Sequence, residues 1–351
     1  MAMGQQTKTV VVVNASGRQG ASFVRVASAV GWQVRAHMKD RVGIVAEDIC
    51  ARENVTIVEG SLTDPSLVNE LFKGQPDLAF INTVTFGDEF AIGKALADAA
   101  QQAGIKHLIY SSMPDHAVFG KGWKTMPQWG PKARIESYLR QLDIPTTFVY
   151  AGIYHNNFSS LPYPLFRMDL QEDGSFEWQA PFRPNKRLPW LDAEHDVGPV
   201  LLQIFKQGPR QWANKRVPLA FQYLTPIEVC EAFSRALQRP VFYSQGPIQY
   251  LLPQIPRDYR EHLDILQETL GKKDAPYFGP EMEEGCTQIA SELWEGNRDI
   301  EEYAREVFPI EEYNNGLRWM DEEECKDGFD YDAMVSQTTD GIEDLTISSR
   351  M

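Results

Sequence analysis

"VVVVNASGRQG", residues 10–20, decides the fold. Thr9 to Val13 is a continuous β-branched run, the pattern of a strand buried on both faces. After the turn, "ASFVRVASAVG" sets Phe23, Val26, Ala27 and Val30 at helical spacing, and Gly31 supplies a stop. A dinucleotide pyrophosphate needs a sharp turn, a helix N-terminus aimed at it, and a small residue where helix meets strand. Gly17 and Gly20 fill the second and third places of a G-x-x-G-x-x-G spacing, and Asn14 takes the first. Asparagine enters left-handed backbone more readily than most residues, so the turn is expected to survive. Strand before and helix after are the context that turns a glycine spacing into a site. The candidate contacts here are Asn14, Ser16, Gly17, Arg18, Gln19 and Gly20, with Arg18 placed to reach a phosphate.

Outward from this turn the alternation continues. "QVRAHM", "NVTIVEGSL", "DLAFINT", "HLIYSSM" and "PTTFVYAGIY" read as strands. "PSLVNELFKG", "DEFAIGKALADAAQQAG" and "KARIESYLRQL" read as helices between them. Strict β-α order implies a parallel sheet covered on both faces. The expected fold is α/β, a Rossmann-like doubly wound parallel sheet with a second, smaller α+β lobe. Residues 7–154 are assigned to the nucleotide domain, its sheet completed by later strands. Residues 155–320 form the smaller, interleaved lobe, and 321–351 an acidic tail.

The end of the second strand tells NAD from NADP, because an acid there holds the ribose 2′-hydroxyl. Here it reads "VRAHMKD". Arg35 and Lys39 favour a 2′-phosphate, so NADP is expected to bind and NAD is compatible. His37 reads as a surface histidine. "FINT" places Asn82 and Thr83 at the carboxyl edge, where a cofactor crosses. "YHNNF" brings Tyr154 and Asn157 near the nicotinamide end, with His155 read as packing. Asp192, Glu194, His195 and Asp196 read as a helix cap led by Asp192, not as a metal set.

"VVNASGRQ", "FINT", "IYSSMPDH", "TFVYAGIYHNNF", "SLPYPLF", "PWLDAEHDVGP" and "EEYAREVFPIEEYNNGL", in this order, resemble the NmrA-like family of the short-chain dehydrogenase superfamily. The similarity runs from about residue 8 to 320. It implies a Rossmann fold with a second lobe, NAD(P) binding and a regulatory role. For the fungal regulators of that family it implies a co-repressor of nitrogen metabolite repression that binds a GATA-type zinc-finger activator. A redox or dinucleotide sensor is expected to hold the oxidised forms better. The tail beyond Met320 and the segment 276–288 depart from the family pattern.

The superfamily's reductases carry a tyrosine four residues before a lysine. Here Lys132 has Gln128 at that spacing. Glutamine is no proton donor, and loss of a positioned acid costs about 10²- to 10⁴-fold. The expectation is therefore a non-enzyme, with Lys132 and Ser112 (in the place of the superfamily's serine, beside Ser111) kept as cofactor contacts. The rival reading is an NADPH-dependent reductase of the isoflavone-reductase-like type with Lys132 as general acid.

Net charge is −15, and residues 321–351 hold ten acids against Lys326 and Arg350. Direct nucleic-acid binding needs a basic footprint, so none is expected. No run of apolar residues reaches membrane-spanning length, and "MAMGQQTKTV" is not a signal peptide. Cys50, Cys230, Cys286 and Cys325 read as free thiols of a reducing compartment. The expected location is nucleus and cytoplasm. A basic zinc finger calls for an acidic partner. Asp299, Glu301, Glu302 and Glu306, followed by Glu311 and Glu312, form the candidate docking set, with Trp294, Tyr303, Phe308 and Trp319 as aromatic anchors.

Overall fold

The computed structural model describes residues 8–84, 87–161, 164–251 and 255–316. The tail read at 321–351, and Trp319, lie outside the described residues. In chain order the elements are β1 (Thr9–Val12), α1 (Arg18–Ala29), β2 (Gln33–Met38), α2 (Ile44–Cys50), β3 (Val55–Glu59), α3 (Pro65–Phe72), β4 (Leu78–Ile81), α4 (Glu89–Ala103), β5 (His107–Ser112) and α5 (Gly130–Leu139). Then follow β6 (Thr146–Ala151), β7 (Ile153–Tyr154), β8 (Met168–Leu170), β9 (Phe176–Ala180), β10 (Leu188–Leu191), α6 (Ala193–Gln207), α7 (Pro209–Trp212), β11 (Arg216–Leu219) and β12 (Gln222–Leu224). Last come α8 (Pro226–Leu237), β13 (Val241–Gln245), α9 (Arg257–Leu266), α10 (Cys286–Leu293), α11 (Ile300–Glu306) and α12 (Phe308–Asn314).

Seven strands form one sheet in the order β11-β6-β5-β4-β1-β2-β3, with every neighbouring pair parallel. The order reverses between β1 and β4, which is the crevice where doubly wound sheets take their ligands. The valines of β1 are buried on both faces, Val10 and Val12 in the core that α1 and α6 cover. Helix starts follow local chemistry. Asp64 accepts from the Ser66 amide ahead of α3, and Asp88 from the Ala91 amide in α4.

The chain divides into two compact units. The first holds residues 1–155, 187–224 and 256–299; the second holds 156–186, 225–255 and 300–351. This division differs from the expected bounds, 7–154 and 155–320. Residues 187–224 return to the first unit because α6 lies against α1 and β11 extends the main sheet beyond β6. Residues 256–299 also belong there, and α10 packs on α6 and β11. The sixth predicted strand also breaks. At Gly152 the amide still bonds Leu219 O of β11, while Ile153 and Tyr154 turn away to pair with β10.

In the second unit β8, β9 and β13 form a small sheet. Its core is aromatic: Phe158 packs edge-on against Trp178 and Phe233, and Phe233 against Phe308. The stretch 291–308 holds two helices. α10, ending at Leu293, belongs to the first unit, and α11, beginning at Ile300, to the second. Among the described residues no helix is long and apolar enough to cross a membrane.

Candidate functional site

Asn14 sits at φ 63°, the left-handed conformation the turn demands. The Gly17 amide closes back on Asn14 O at 3.1 Å. A Cβ on Gly20 would stand 2.2 Å from Asn14 O and 2.9 Å from Ala15 Cα, so only glycine lets the helix come this near the turn. His37 completes the arrangement. The Asn14 amide donates to His37 Nδ1 at 3.3 Å, Nε2 lies 3.1 Å from Gly60 O, and the Ala15 amide donates to His37 O at 2.7 Å. An acceptor at Nδ1 and a carbonyl at Nε2 assign the neutral Nε2–H tautomer. Burial lowers the His37 pKa, in line with a neutral ring. The surface reading of His37 is thus corrected. The ring is 3 % exposed, held between the Asn14 turn and Gly60.

No side chain caps the start of α1, and its first turn holds no acid. Helix donors left this way are an anion site in waiting. Gln19 and Tyr154, 135 residues apart, meet here: Gln19 Nε2 donates to the Tyr154 hydroxyl at 2.5 Å. The other end of the amide, Oε1, is buried and has no hydrogen-bond partner among the described residues. A half-satisfied buried amide beside an uncapped helix start, with a cradle that a Cβ would fill, fits a ligand bearing phosphates and hydroxyls. Ser16 is half-buried in the same turn, and Lys39 is exposed just past β2. Arg18 is held by Glu194 of α6 at 2.5 Å. Arg35 is not brought to this edge. It lies in mid-strand, and its guanidinium donates to Leu71 O and Lys73 O at the end of α3, so the Arg35 contact is withdrawn.

The other end of the edge is built differently. Lys132 turns inward rather than lying on the helix surface. Its ammonium donates to Thr83 O, pairs with Glu89 Oε1 at 3.2 Å and lies 3.5 Å from Asn82 Oδ1. Thr83 Oγ1 in turn donates to Glu89 at 2.7 Å and lies 3.0 Å from the Tyr110 hydroxyl. Burial lowers the Lys132 pKa, and Glu89 works against that. Asn82, Thr83 and Lys132 are thus brought together. Ser112 is not available to a cofactor. Fully buried, it donates to Glu136 Oε2 at 2.7 Å, an oxygen that Tyr150 also binds at 2.6 Å. Arg140 and Arg216 hold the other Glu136 oxygen.

Gln128 sits in a packed aromatic corner. Its backbone amide donates to His262 Nδ1 at 3.4 Å. Next to it, Trp129 packs against His116, His262 and Tyr277 with ring centroids 5.6, 6.2 and 5.1 Å away. His155 is fully buried and its pKa is pushed down to about 4 by burial. Asn157, half-buried in the short turn His155–Asn157, falls in the second unit. Asp192 caps α6, accepting from the Glu194 and His195 amides.

The acidic helix needs several corrections. Tyr303 and Phe308 are fully buried in the second unit's interior, so they anchor the fold and not a partner. Glu312 is 1 % exposed and accepts from Ser159 Oγ and the Ser160 amide. Glu301 pairs with Arg235 at 2.9 Å. Glu302 is half-buried and Glu306 exposed, while Asp299 and Trp294 belong to the first unit. The exposed apolar residues nearby are Ile310 and Tyr313.

Glu89, Glu136, Glu194, His37 and His262 escape sequence reading, since no local pattern marks a side chain whose partner is far along the chain. The one available signal is an acid in the first turn of a helix that follows a strand, as Glu89 and Glu194 are.

The NmrA-like family model matches residues 6–304. The chain belongs to the NmrA-like family. It is 52% identical to the nitrogen metabolite repression protein nmrA of Emericella nidulans, over 91% of this chain and 100% of that protein. It is 51% identical to the corresponding protein nmr of Neurospora crassa, over 90% of this chain and 72% of that one. Among solved structures it is similar to NmrA, a negative transcriptional regulator, in complex with NADP, with 56% identity and a TM-score of 0.87 over 90% of this chain and 100% of that one. NmrA has also been solved in complex with NAD.

Proposed function

We propose that this protein binds NAD or NADP without turning it over and acts as a co-repressor in nitrogen metabolite repression. One observation carries the non-catalytic part. Lys132 is committed to Glu89 and Thr83, and the residue four positions before it is Gln128. Bound, the dinucleotide supplies a hydride donor or acceptor. Reduction of a carbonyl also needs a proton donor beside the substrate, and Gln128 is none. The neighbouring hydroxyls of Tyr110, Tyr150 and Ser112 are buried against protein partners. Binding itself needs no proton donor. Asn14, Ser16, Gly17 and Gly20 cradle the pyrophosphate, Arg18 reaches it, and Gln19 with Tyr154 takes a hydroxyl. Asn82, Thr83 and Lys132 line the way towards the nicotinamide, and Lys39 stands by the adenosine ribose.

The dinucleotide reports cell state, with the oxidised forms bound better. The partner is the basic zinc finger of a GATA-type activator, met in the nucleus, with the protein also in the cytoplasm. The overall negative charge suits such a partner by steering its approach. On α11 and α12, Glu302 and Glu306 offer charge and Ile310 and Tyr313 exposed apolar surface.

Calorimetric titration with NAD⁺, NADP⁺, NADH and NADPH tests the nucleotide half. Tighter oxidised forms are expected. Tight NADPH with weak oxidised binding would overturn it in favour of a reductase. The lowered pKa of Lys132 favours that second reading, since a lysine nearer neutrality is a better general acid. NADPH oxidation lost in Lys132→Met would then establish it. For the partner, Glu302→Lys with Glu306→Lys is expected to weaken capture by the zinc finger while leaving nucleotide binding intact.

A further inference from the structure

Arg18 is the first residue of α1, at the positive end of a helix that nothing in its own sequence caps. Its Nη1 lies 2.5 Å from Glu194 Oε1, and each side chain is about one third exposed, at 39% and 34%. The backbone that carries Glu194 is fixed. Asp192 Oδ1 caps the first turn of α6, and Asp192 Oδ2 is held by Arg298 at 3.1 Å. One turn further on, the two helices touch at backbone distance. The Gly198 amide donates to Ser22 Oγ at 2.9 Å, and a Cβ on Gly198 would stand 2.3 Å from Ser22 O. Arg18 and Ser22 are four residues apart on α1, as are Glu194 and Gly198 on α6. Both pairs therefore lie along one helix seam, and the seam fixes a carboxylate beside the helix start.

The two helix starts on this seam differ in charge. That of α6 is satisfied by Asp192, with Glu194 and Asp196 in its first turn; that of α1 has no acid of its own. Glu194 of α6 brings a negative charge to the start of α1, through Arg18. A pyrophosphate arriving at α1 must take Arg18 from Glu194 and then sit close to the carboxylate left behind.

We propose that Glu194 is an affinity-setting residue of the dinucleotide site: it holds Arg18 in the absence of ligand and competes with the pyrophosphate for it. The inference rests on the nucleotide reading above. Glu194 weakens every dinucleotide by the same factor, because the pyrophosphate is common to all of them. It does not choose between oxidised and reduced nicotinamide. This device keeps a binding protein responsive to changing cofactor levels rather than permanently loaded.

The test is calorimetry on the full chain with NAD⁺, NADP⁺ and ADP, for the native protein, Glu194→Gln, Arg18→Ala and the double variant. Glu194→Gln is expected to tighten all three ligands by about fivefold, the size of an exposed ion pair lost to competition. Placed on top of Arg18→Ala, the same change should give a clearly smaller gain, since the competition needs Arg18. Unchanged or weaker binding in Glu194→Gln overturns the proposal, and weaker binding would make Glu194 a residue that aims Arg18 at the ligand. Absence of any binding to the native chain sinks the nucleotide reading itself, a distinguishable failure. Should Glu194→Gln not fold, Glu194→Ser carries the same expectations.

Discussion

At the β1–α1 turn, polar groups are left without protein partners: the helix start is uncapped and Gln19 Oε1 has no hydrogen bond among the described residues. At the Lys132 end the corresponding groups are closed on one another, Lys132 with Glu89 and Thr83, Ser112 and Tyr150 with Glu136. Both ends lie at the carboxyl edge of the same sheet. The difference is between a place that needs a ligand to satisfy it and one that is satisfied already. One edge of a sheet can thus hold both an open recognition end and a closed, internally satisfied one.

The largest effect should come from breaking the closed end. Glu89→Ala leaves the Lys132 ammonium without its carboxylate, and removing one member of a buried pair costs about 3–5 kcal/mol. Urea unfolding measures it. The double variant Glu89→Leu, Lys132→Met should cost much less than the two single changes together. A loss under about 1 kcal/mol for Glu89→Ala, the scale of an exposed pair, would mean that this end is open after all.

Next comes the open end. Gly20→Ala sets a methyl against Asn14 O, a backbone atom that cannot swing aside. A loss of about 1–3 kcal/mol is expected, together with loss of dinucleotide binding by calorimetry. Native affinity in this variant would show that the close approach of α1 is not what forms the cradle.

The two ends also share a device, and acid should loosen both. His37 Nδ1 accepts the Asn14 amide and His262 Nδ1 the Gln128 amide. Burial lowers the pKa of His37, and pushes His262, like His107 and His155, down to about 4. The unfolded chain takes protons at 6.5 that the folded one refuses. Their stabilisation is therefore complete above 6.5 and lost as pH falls towards about 4. Thermal unfolding across that window should show a falling midpoint. Replacing His262 by Gln, which keeps an acceptor but does not titrate there, should flatten part of the fall. A midpoint independent of pH contradicts the neutral-ring assignment.

The smallest expected effect is the most informative about chemistry. Gln128→Tyr sets a tyrosine, a proton donor, four residues before Lys132. With Lys132 held by Glu89 and with Trp129 packed into the aromatic corner, no NADPH oxidation above background is expected with small carbonyl compounds. Turnover in this variant would mean that the missing tyrosine alone separates this chain from a reductase.

Much of this was legible in the sequence. The β-α order, the left-handed turn at Asn14, the close glycine at Gly20 and the cap at Asp192 are set by interactions over a few residues. Strand burial, helical spacing and turn chemistry leave local marks. So does the spacing of Gln128 four residues before Lys132. Tertiary structure decided where side chains go once the strands are ordered. The sheet order brings Glu194 to Arg18 across 176 residues, Lys132 to Thr83 across 49 and Ser112 to Glu136 across 24. It also took Arg35 to the end of α3, buried His37, and drew Tyr303 and Phe308 into the interior. A residue's chemistry is written in its type. Whether that chemistry faces a ligand or is met by the protein depends on neighbours that only the packed chain supplies.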